Sequence, residues 1–82
     1  MAEFNKRDFG ERLRNFRKNK GLSQENLAKV IGKNATTIGR FENGKLIPDA
    51  EQIFLMCNEL EIDEQELFDI DKTIHTKESD NP

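Results

Sequence analysis

Five times along this chain, a polar residue that can cap a helix stands directly before a segment whose apolar residues recur every three or four positions. Oxygen atoms in Asn, Ser and Asp side chains accept hydrogen bonds from the free N–H groups at a helix start. The five residues in this position are Asn5, Ser23, Asn34, Asp49 and Asp63. Sustained alternation of apolar and polar residues, the pattern of half-buried strands, is absent. The sequence therefore predicts an all-α fold with helices over about 6–20, 24–31, 35–42, 50–60 and 64–69.

Turn residues support the same division of the chain. Gly21 follows the first helix, Gly32 the second and Gly44 the third. A glycine after a helix adopts the left-handed conformation in which helices commonly end. Asp49 and Gln52 have the spacing of a capping box at the fourth start. Caps, apolar spacing and stops thus indicate the same five helices, and this agreement supports the all-α prediction.

The length of 82 residues is sufficient for one domain. We expect this domain to span residues 1–70 as a compact five-helix bundle. The segment 71–82 has one apolar residue, Ile74. It cannot bury enough apolar surface to offset the entropy lost on ordering, so we predict a flexible polar tail.

Several function classes are disfavoured. The single cysteine, Cys57, excludes an internal disulfide and lies in an apolar run, where we expect it to be a buried packing group. The single histidine, His75, has no partner at metal-ligand spacing, and no set of catalytic residues is present. We therefore expect no metal, no cofactor and no enzymatic activity.

The longest apolar run, 53–57, is far below the ~20 residues that cross a bilayer, and no signal peptide is visible. We expect a cytoplasmic protein.

Charge is distributed unevenly along the chain. Residues 1–47 contain 11 Lys and Arg against five Asp and Glu, whereas residues 48–82 contain two Lys against 11 acidic residues. The overall net charge of −3 therefore hides a basic first half. Such asymmetry suggests a basic face that contacts nucleic acid, although an ordinary solvated surface has the same composition.

The second and third helices are short and are separated by Gly32-Lys33. Two short helices joined by a tight glycine turn pack as a crossed pair, the helix-turn-helix. In DNA-binding proteins with this motif, the second helix lies in the major groove. The pattern predicts that helix 35–42 is the recognition helix, with Ile38 and Phe41 facing inward.

The outward positions of helix 35–42 suit base recognition. Arg40 can pair bidentately with guanine or with a phosphate, and the methyl groups of Ala35 and Thr36 can contact a thymine methyl. Gly39, the fourth predicted base-reading position, is costly inside a helix. Close approach to DNA would account for it, and so would a packing constraint or simple drift. Ser23 and Gln24 at the start of the second helix, together with Lys33, Asn43 and Lys45 around the third, are predicted phosphate contacts.

Several segments together resemble the Cro/cI-type (Xre) helix-turn-helix repressors of phages and bacteria. They are the run from Gly21 to Ala28, Gly32, Thr37-Ile38, the run from Phe41 to Lys45, and Pro48-Asp49. The resemblance spans about residues 9–68 and implies a lambda-repressor-like fold. It also implies a DNA-binding transcription regulator that acts on double-stranded DNA.

The resemblance assigns roles to individual residues. It places Ala35, Thr36 and Arg40 at base-reading positions, and Gln24, Thr37, Asn43 and Lys45 at backbone-contact positions. Arg17 and Glu42 match an ion pair that joins the first helix to the end of the third. Family members often carry Gln or Asn where this chain has Ala35 and Thr36, so base reading here is expected to depend on Arg40 and on DNA shape.

Repressors of this type usually dimerise on a near-palindromic operator, because one short helix reads few base pairs. We expect the dimer interface to include Phe54, Leu55, Phe68 and Ile70, which the core does not obviously need. The alternative is that these residues close the domain's own core.

Other functions use the same fold. One alternative is the antitoxin of a toxin–antitoxin pair, which would also block a toxin protein. Another is the controller of a restriction–modification operon. An antagonist protein is a further conceivable partner. A protein-interaction adaptor that does not touch DNA is disfavoured by the basic first half.

Overall fold

In the computed structural model, residues 3–69 are described and form five α-helices with no β-strand among them. The helices are α1 (Lys6–Asn19), α2 (Gln24–Val30), α3 (Ala35–Glu42), α4 (Ala50–Leu60) and α5 (Glu64–Phe68). The predicted all-α, five-helix fold is confirmed. Residue 70 and the predicted tail, 71–82, lie outside the described residues.

Each helix begins after a cap residue whose side chain accepts a hydrogen bond from the backbone N–H three positions later. The bond to Asn5 is 3.0 Å long and that to Asp49 is 2.8 Å. Reciprocal capping boxes form at α2, α4 and α5. These bonds satisfy N–H groups that have no partner inside the helix, and they explain why every start matches the sequence pattern.

Three helices end one residue earlier than predicted. Lys20, Ile31 and Asp69 are C-cap residues and not members of α1, α2 and α5. Their N–H groups still bond to helix carbonyls, which is why the apolar pattern alone does not separate them from the helix. Glu61 after α4 and Asp69 after α5 both have a φ of 59°, a left-handed conformation that is uncommon for residues with a side chain.

All five helices contribute to one hydrophobic core. The buried residues are Phe9, Leu13, Leu27, Ala28, Ile38, Phe41, Met56, Cys57, Leu60 and Leu67. Burial, together with the nearby carboxylates of Glu64, Asp63 and Glu66, raises the pKa of the Cys57 thiol to about 11. The thiol is therefore protonated at neutral pH and packs as an apolar group.

Three phenylalanines close the core where α1 begins and α5 ends. The ring centroids of Phe9 and Phe68 are 5.3 Å apart, and Phe4 lies 5.6 Å from Phe9 and 6.0 Å from Phe68. Such tilted ring pairs add to the stabilisation from area burial. Phe68 therefore packs against the core of its own domain. In the sequence analysis, this packing is the alternative to a role in the dimer interface.

Within residues 3–69, no helix is long and apolar enough to cross a membrane.

Candidate nucleic-acid interface

The side of α3 that faces the core determines which side chains can reach a ligand. Ile38 is 0% exposed and Phe41 1% exposed, and α3 packs on both α2 and α1. Thr36 and Arg40 are exposed on the other side, where Ala35 and Gly39 are partly exposed. The helix thus presents one continuous polar and small-residue face to solvent.

A depression of about 520 Å³ lies on this face, which we call the α3 depression. Its lining residues are Gln24, Ala35, Thr36, Gly39, Arg40, Asn43 and Lys45. It brings together all four residues that the sequence predicts as base readers and three of the predicted phosphate contacts.

The other predicted phosphate contacts lie outside this depression. Ser23 and Lys33 are exposed, whereas Thr37 is partly buried, and its N–H donates to the Asn34 side chain at 3.3 Å.

The carboxylate of Glu42 connects α3 to α1. Arg17 donates from Nε to Oε2 at 2.6 Å and from Nη2 to Oε1 at 3.2 Å. Both residues are buried, and Arg17 also donates to the carbonyl of Leu22 at 2.8 Å. Paired and hydrogen-bonded in this way, the two charges hold the end of α3 against α1.

Glu42 also binds the side chain of Gln24, a contact that the sequence did not predict. Gln24 Nε2 donates to Glu42 Oε1 at 3.0 Å, so the side chain of Gln24 on α2 reaches the end of α3. Arg14 Nε is a second nearby cation, 3.7 Å from the same oxygen. The carboxylate thereby fixes the position of one wall of the α3 depression.

Gly10 is a further residue that the sequence reading missed. A Cβ at this position would lie 2.4 Å from the carbonyl oxygen of Glu42 and 2.5 Å from that of Phe41. The absence of a side chain allows α1 to contact the last turn of α3 directly. A glycine inside a helix costs about 1 kcal/mol relative to alanine, and this was the signal that could have indicated its role.

A second concavity, of about 660 Å³, lies where the start of α1 meets the segment after α3. Lys6 and Arg7 line it together with Asn43, Gly44 and Lys45. Two basic residues therefore flank Lys45 although they are distant from it in the sequence. They were not among the predicted phosphate contacts because only the fold brings these segments together.

The residues predicted for a dimer interface differ in exposure. Phe54 on α4 is 62% exposed, and Leu55 is partly buried. Ile70 lies outside the described residues.

Among residues 3–69, no cluster of His, Cys, Asp and Glu has the arrangement of a metal site.

Comparison with known proteins gives consistent matches. The helix-turn-helix family model matches residues 13–67. A Bacillus subtilis protein, the uncharacterized HTH-type transcriptional regulator YazB, is 39% identical over 59 residues, which cover 72% of this chain and 86% of that protein. The SPbeta prophage-derived uncharacterized HTH-type transcriptional regulator YonR, also from Bacillus subtilis, is 32% identical over 78 residues, covering 87% of this chain and 72% of the relative.

Two solved structures are similar along most of their length. The restriction-modification controller protein C.AhdI from Aeromonas hydrophila has a TM-score of 0.70 and 39% sequence identity, covering 76% of this chain and 94% of that one. The hypothetical transcription factor NHTF from Neisseria has a TM-score of 0.70 and 26% identity, covering 94% of this chain and 93% of that one.

Proposed function

The chain belongs to the helix-turn-helix family of DNA-binding transcriptional regulators, and we propose that it acts as a homodimeric repressor on a near-palindromic operator. In this proposal, α3 of each protomer enters the major groove. The observation that carries it is the burial of Ile38 and Phe41, which leaves Ala35, Thr36 and Arg40 on the outward face. A rigid helix with short side chains at its leading end fits the groove closely.

The residues on this face divide into two roles. Arg40 reads guanine, since its guanidinium matches the O6 and N7 acceptors of that base. Ala35, Thr36 and Gly39 lie against base edges next to it. Ser23, Gln24, Lys33, Thr37, Asn43 and Lys45 contact phosphates, which fixes the orientation of the domain without specifying sequence.

Dimerisation supplies the second recognition helix. Successive major grooves on one side of DNA are about 34 Å apart, so two protomers related by twofold symmetry read two half-sites. The exposed ring of Phe54, with Leu55 beside it in the chain, is the apolar surface we assign to the interface. Phe68, whose ring is partly exposed, and Ile70 are further contributors in this proposal.

The bound dimer represses transcription by occupying its operator. This function needs no cofactor and no catalytic group, and we propose that the protein has no enzymatic activity. Its site of action is the cytoplasm, where its DNA target would be.

Selection of bound sequences from a random duplex pool tests the function. We expect enrichment of an inverted repeat whose half-sites lie about one helical turn apart. Binding to unselected DNA should weaken steeply with salt, because phosphate neutralisation releases counterions. Recovery of no preferred sequence at any salt concentration would contradict the proposal.

A variant of Phe54 tests the dimer. We expect the wild-type protein to sediment as a dimer at micromolar concentration, and Phe54→Asp to sediment as the 9.5 kDa monomer with weaker operator binding. Glu59→Ala, a change at an exposed position on the same helix, is the matched control and should leave the dimer intact. Sedimentation of the wild-type protein solely as a monomer would exclude this interface.

A second candidate is control of a restriction–modification operon, which the similarity to the controller protein C.AhdI favours. In this case, the selected operator should occur upstream of the protein's own gene and beside genes for a methyltransferase and an endonuclease. An operator located elsewhere, with no such genes beside this one, would reject this candidate and leave the repressor proposal in place.

A further inference from the structure

We propose that Lys6 and Arg7, at the start of α1, bind the DNA phosphates next to the one contacted by Lys45. The inference rests on the proposed function, since it requires α3 to lie in the major groove. It adds to that function a second contact surface, the basic side of the second concavity, on a helix outside the helix-turn-helix pair.

The turn after α3 lies directly against the start of α1. A Cβ at Gly44 would meet the Cα and the backbone nitrogen of Arg7 at 3.2 Å, and the φ of 74° at Gly44 also favours glycine. This close approach places Lys6 and Arg7 beside Lys45, and all three residues line the second concavity. Close backbone contact therefore sets where the three side chains begin.

These three cations are available to a ligand. Lys6, Arg7 and Lys45 are exposed, and within the described part of the chain their side chains make no hydrogen bond or ion pair. Arg17 and Lys20, by contrast, are paired with carboxylates. Binding of an anion by the three cations therefore breaks no interaction among the described residues.

Acidic residues lie on the other side of the same concavity. Glu3 and Asp8 also line it, and both belong as well to a third concavity, of about 200 Å³. None of the three cations lines that third concavity, and Lys45 lines the α3 depression instead. The basic side of the second concavity is therefore the side that adjoins α3.

The position of the concavity beside α3 identifies the anion. Asn43 and Lys45 line both the second concavity and the α3 depression, so the two adjoin. With α3 in the major groove, a surface beside this helix faces the phosphate backbone that borders the groove. Each strand of duplex DNA carries one phosphate per about 3.4 Å of helix axis, so three neighbouring cations meet successive phosphates of one strand.

Replacement of single phosphates in the selected operator by uncharged methylphosphonates locates these contacts. We expect about two phosphates per half-site at which the replacement weakens binding of the wild type about tenfold. At the same phosphates, it should weaken binding of the double variant Lys6→Ala/Arg7→Ala less than about twofold, because the contact is already lost. The double variant should also lower the slope of log affinity against log salt by about two.

The matched control is Lys18→Ala/Lys29→Ala, which removes the same charge from exposed positions outside all three concavities. It should keep the methylphosphonate profile of the wild type. Both double variants should unfold at the temperature of the wild type, since their substituted side chains are exposed.

The substitution Glu3→Lys provides a second arm, a gain of affinity that loss of folding cannot imitate. A cation added to the same concavity should strengthen binding to all duplexes and raise the salt slope by up to about one. Glu51→Lys makes the same charge change at an exposed position on α4 and should do neither.

The outcomes separate the inference from the function on which it rests. An enriched operator at which Lys6→Ala/Arg7→Ala keeps the methylphosphonate profile of the wild type overturns the inference and leaves the function intact. A Glu3→Lys protein that binds no better than the Glu51→Lys protein also overturns it. A random pool that yields no enriched sequence overturns the function and the inference together.

Discussion

The first three helices and the last two share one core but differ in how they are held and in what they present to solvent. Residues 48–69 contain eight Asp and Glu and no Lys or Arg, whereas residues 1–47 contain 11 Lys and Arg. The two buried charged residues among those described, Arg17 and Glu42, both belong to the first region. Apolar packing holds both regions, and a buried charge pair adds to it in the first region.

The buried charge pair is consistent with the proposed function. The hydrophobic effect is non-directional, whereas a hydrogen-bonded charge pair holds its atoms at defined distances. Under the proposed function, α3 has to be positioned accurately to bond to base edges, and the pairing of Glu42 with Arg17 holds its end against α1. The acidic second region is repelled by phosphates, which favours binding through the first region alone.

The largest expected effect comes from breaking the polar hold on α3. Glu42→Ala leaves Arg17 buried without its partner and should lower the free energy of unfolding by about 3–5 kcal/mol. Urea unfolding followed by circular dichroism measures this change. Glu51→Ala, an exposed carboxylate of the acidic region, is the matched control, with an expected change of about 0.5 kcal/mol or less. Equal effects of the two substitutions would remove the distinction between the regions.

Overpacking the contact between α1 and α3 should have the next largest effect. Gly10→Ala forces a Cβ against the carbonyl oxygens of Phe41 and Glu42, so the helices must separate, at a cost of about 1–3 kcal/mol. Gly39→Ala, at which the Cβ has room, should instead stabilise the protein by up to about 1 kcal/mol through helix propensity. Thermal unfolding of both variants measures the contrast, and destabilisation of the same size in both would refute it.

Substitution of Arg40 should lower sequence specificity, whereas substitution of Lys45 should lower the affinity for all DNA. Arg40→Ala is expected to reduce discrimination between the operator and random DNA by about 1–3 kcal/mol. Lys45→Ala should weaken all duplexes alike and reduce the slope of log affinity against log salt by about one. Fluorescence anisotropy titrations at several salt concentrations measure both quantities. An equal loss on specific and random DNA in the Arg40 variant would show that Arg40 contacts phosphate and not a base.

The smallest effect is expected in the acidic region, at the left-handed residue that ends α4. Glu61→Gly removes about 1–2 kcal/mol of backbone strain but loses part of this to the greater entropy of an unfolded glycine, for a net stabilisation of roughly 0.5 kcal/mol. The hydrogen bond from Lys20, which lowers the pKa of Glu61, is solvent-exposed and offsets little. Urea unfolding of Glu61→Gly beside Glu61→Ala, which keeps a Cβ, isolates the backbone contribution. A glycine variant no more stable than the alanine variant would contradict it.

The sequence by itself determined where each helix begins and which face of α3 is exposed. Both are local properties: a cap such as Asn34 bonds to a residue three positions away, and Ile38 and Phe41 share a face because of helical periodicity. Helix ends were less certain because C-cap residues such as Lys20 still bond to the helix they follow. For Phe68 the pattern was compatible with both an interface and the core, and only the tertiary structure shows that its partly buried ring packs against Phe9.

Only the tertiary structure decided what supports the recognition helix. Gln24 and Glu42 are 18 residues apart, and Gly10 contacts carbonyls more than 30 residues away. No periodicity encodes such contacts, because they depend on how whole helices cross and not on the spacing of residues within one of them. For the same reason, the presence of Lys6 and Arg7 beside Lys45 follows from the packing of α1 against the end of α3.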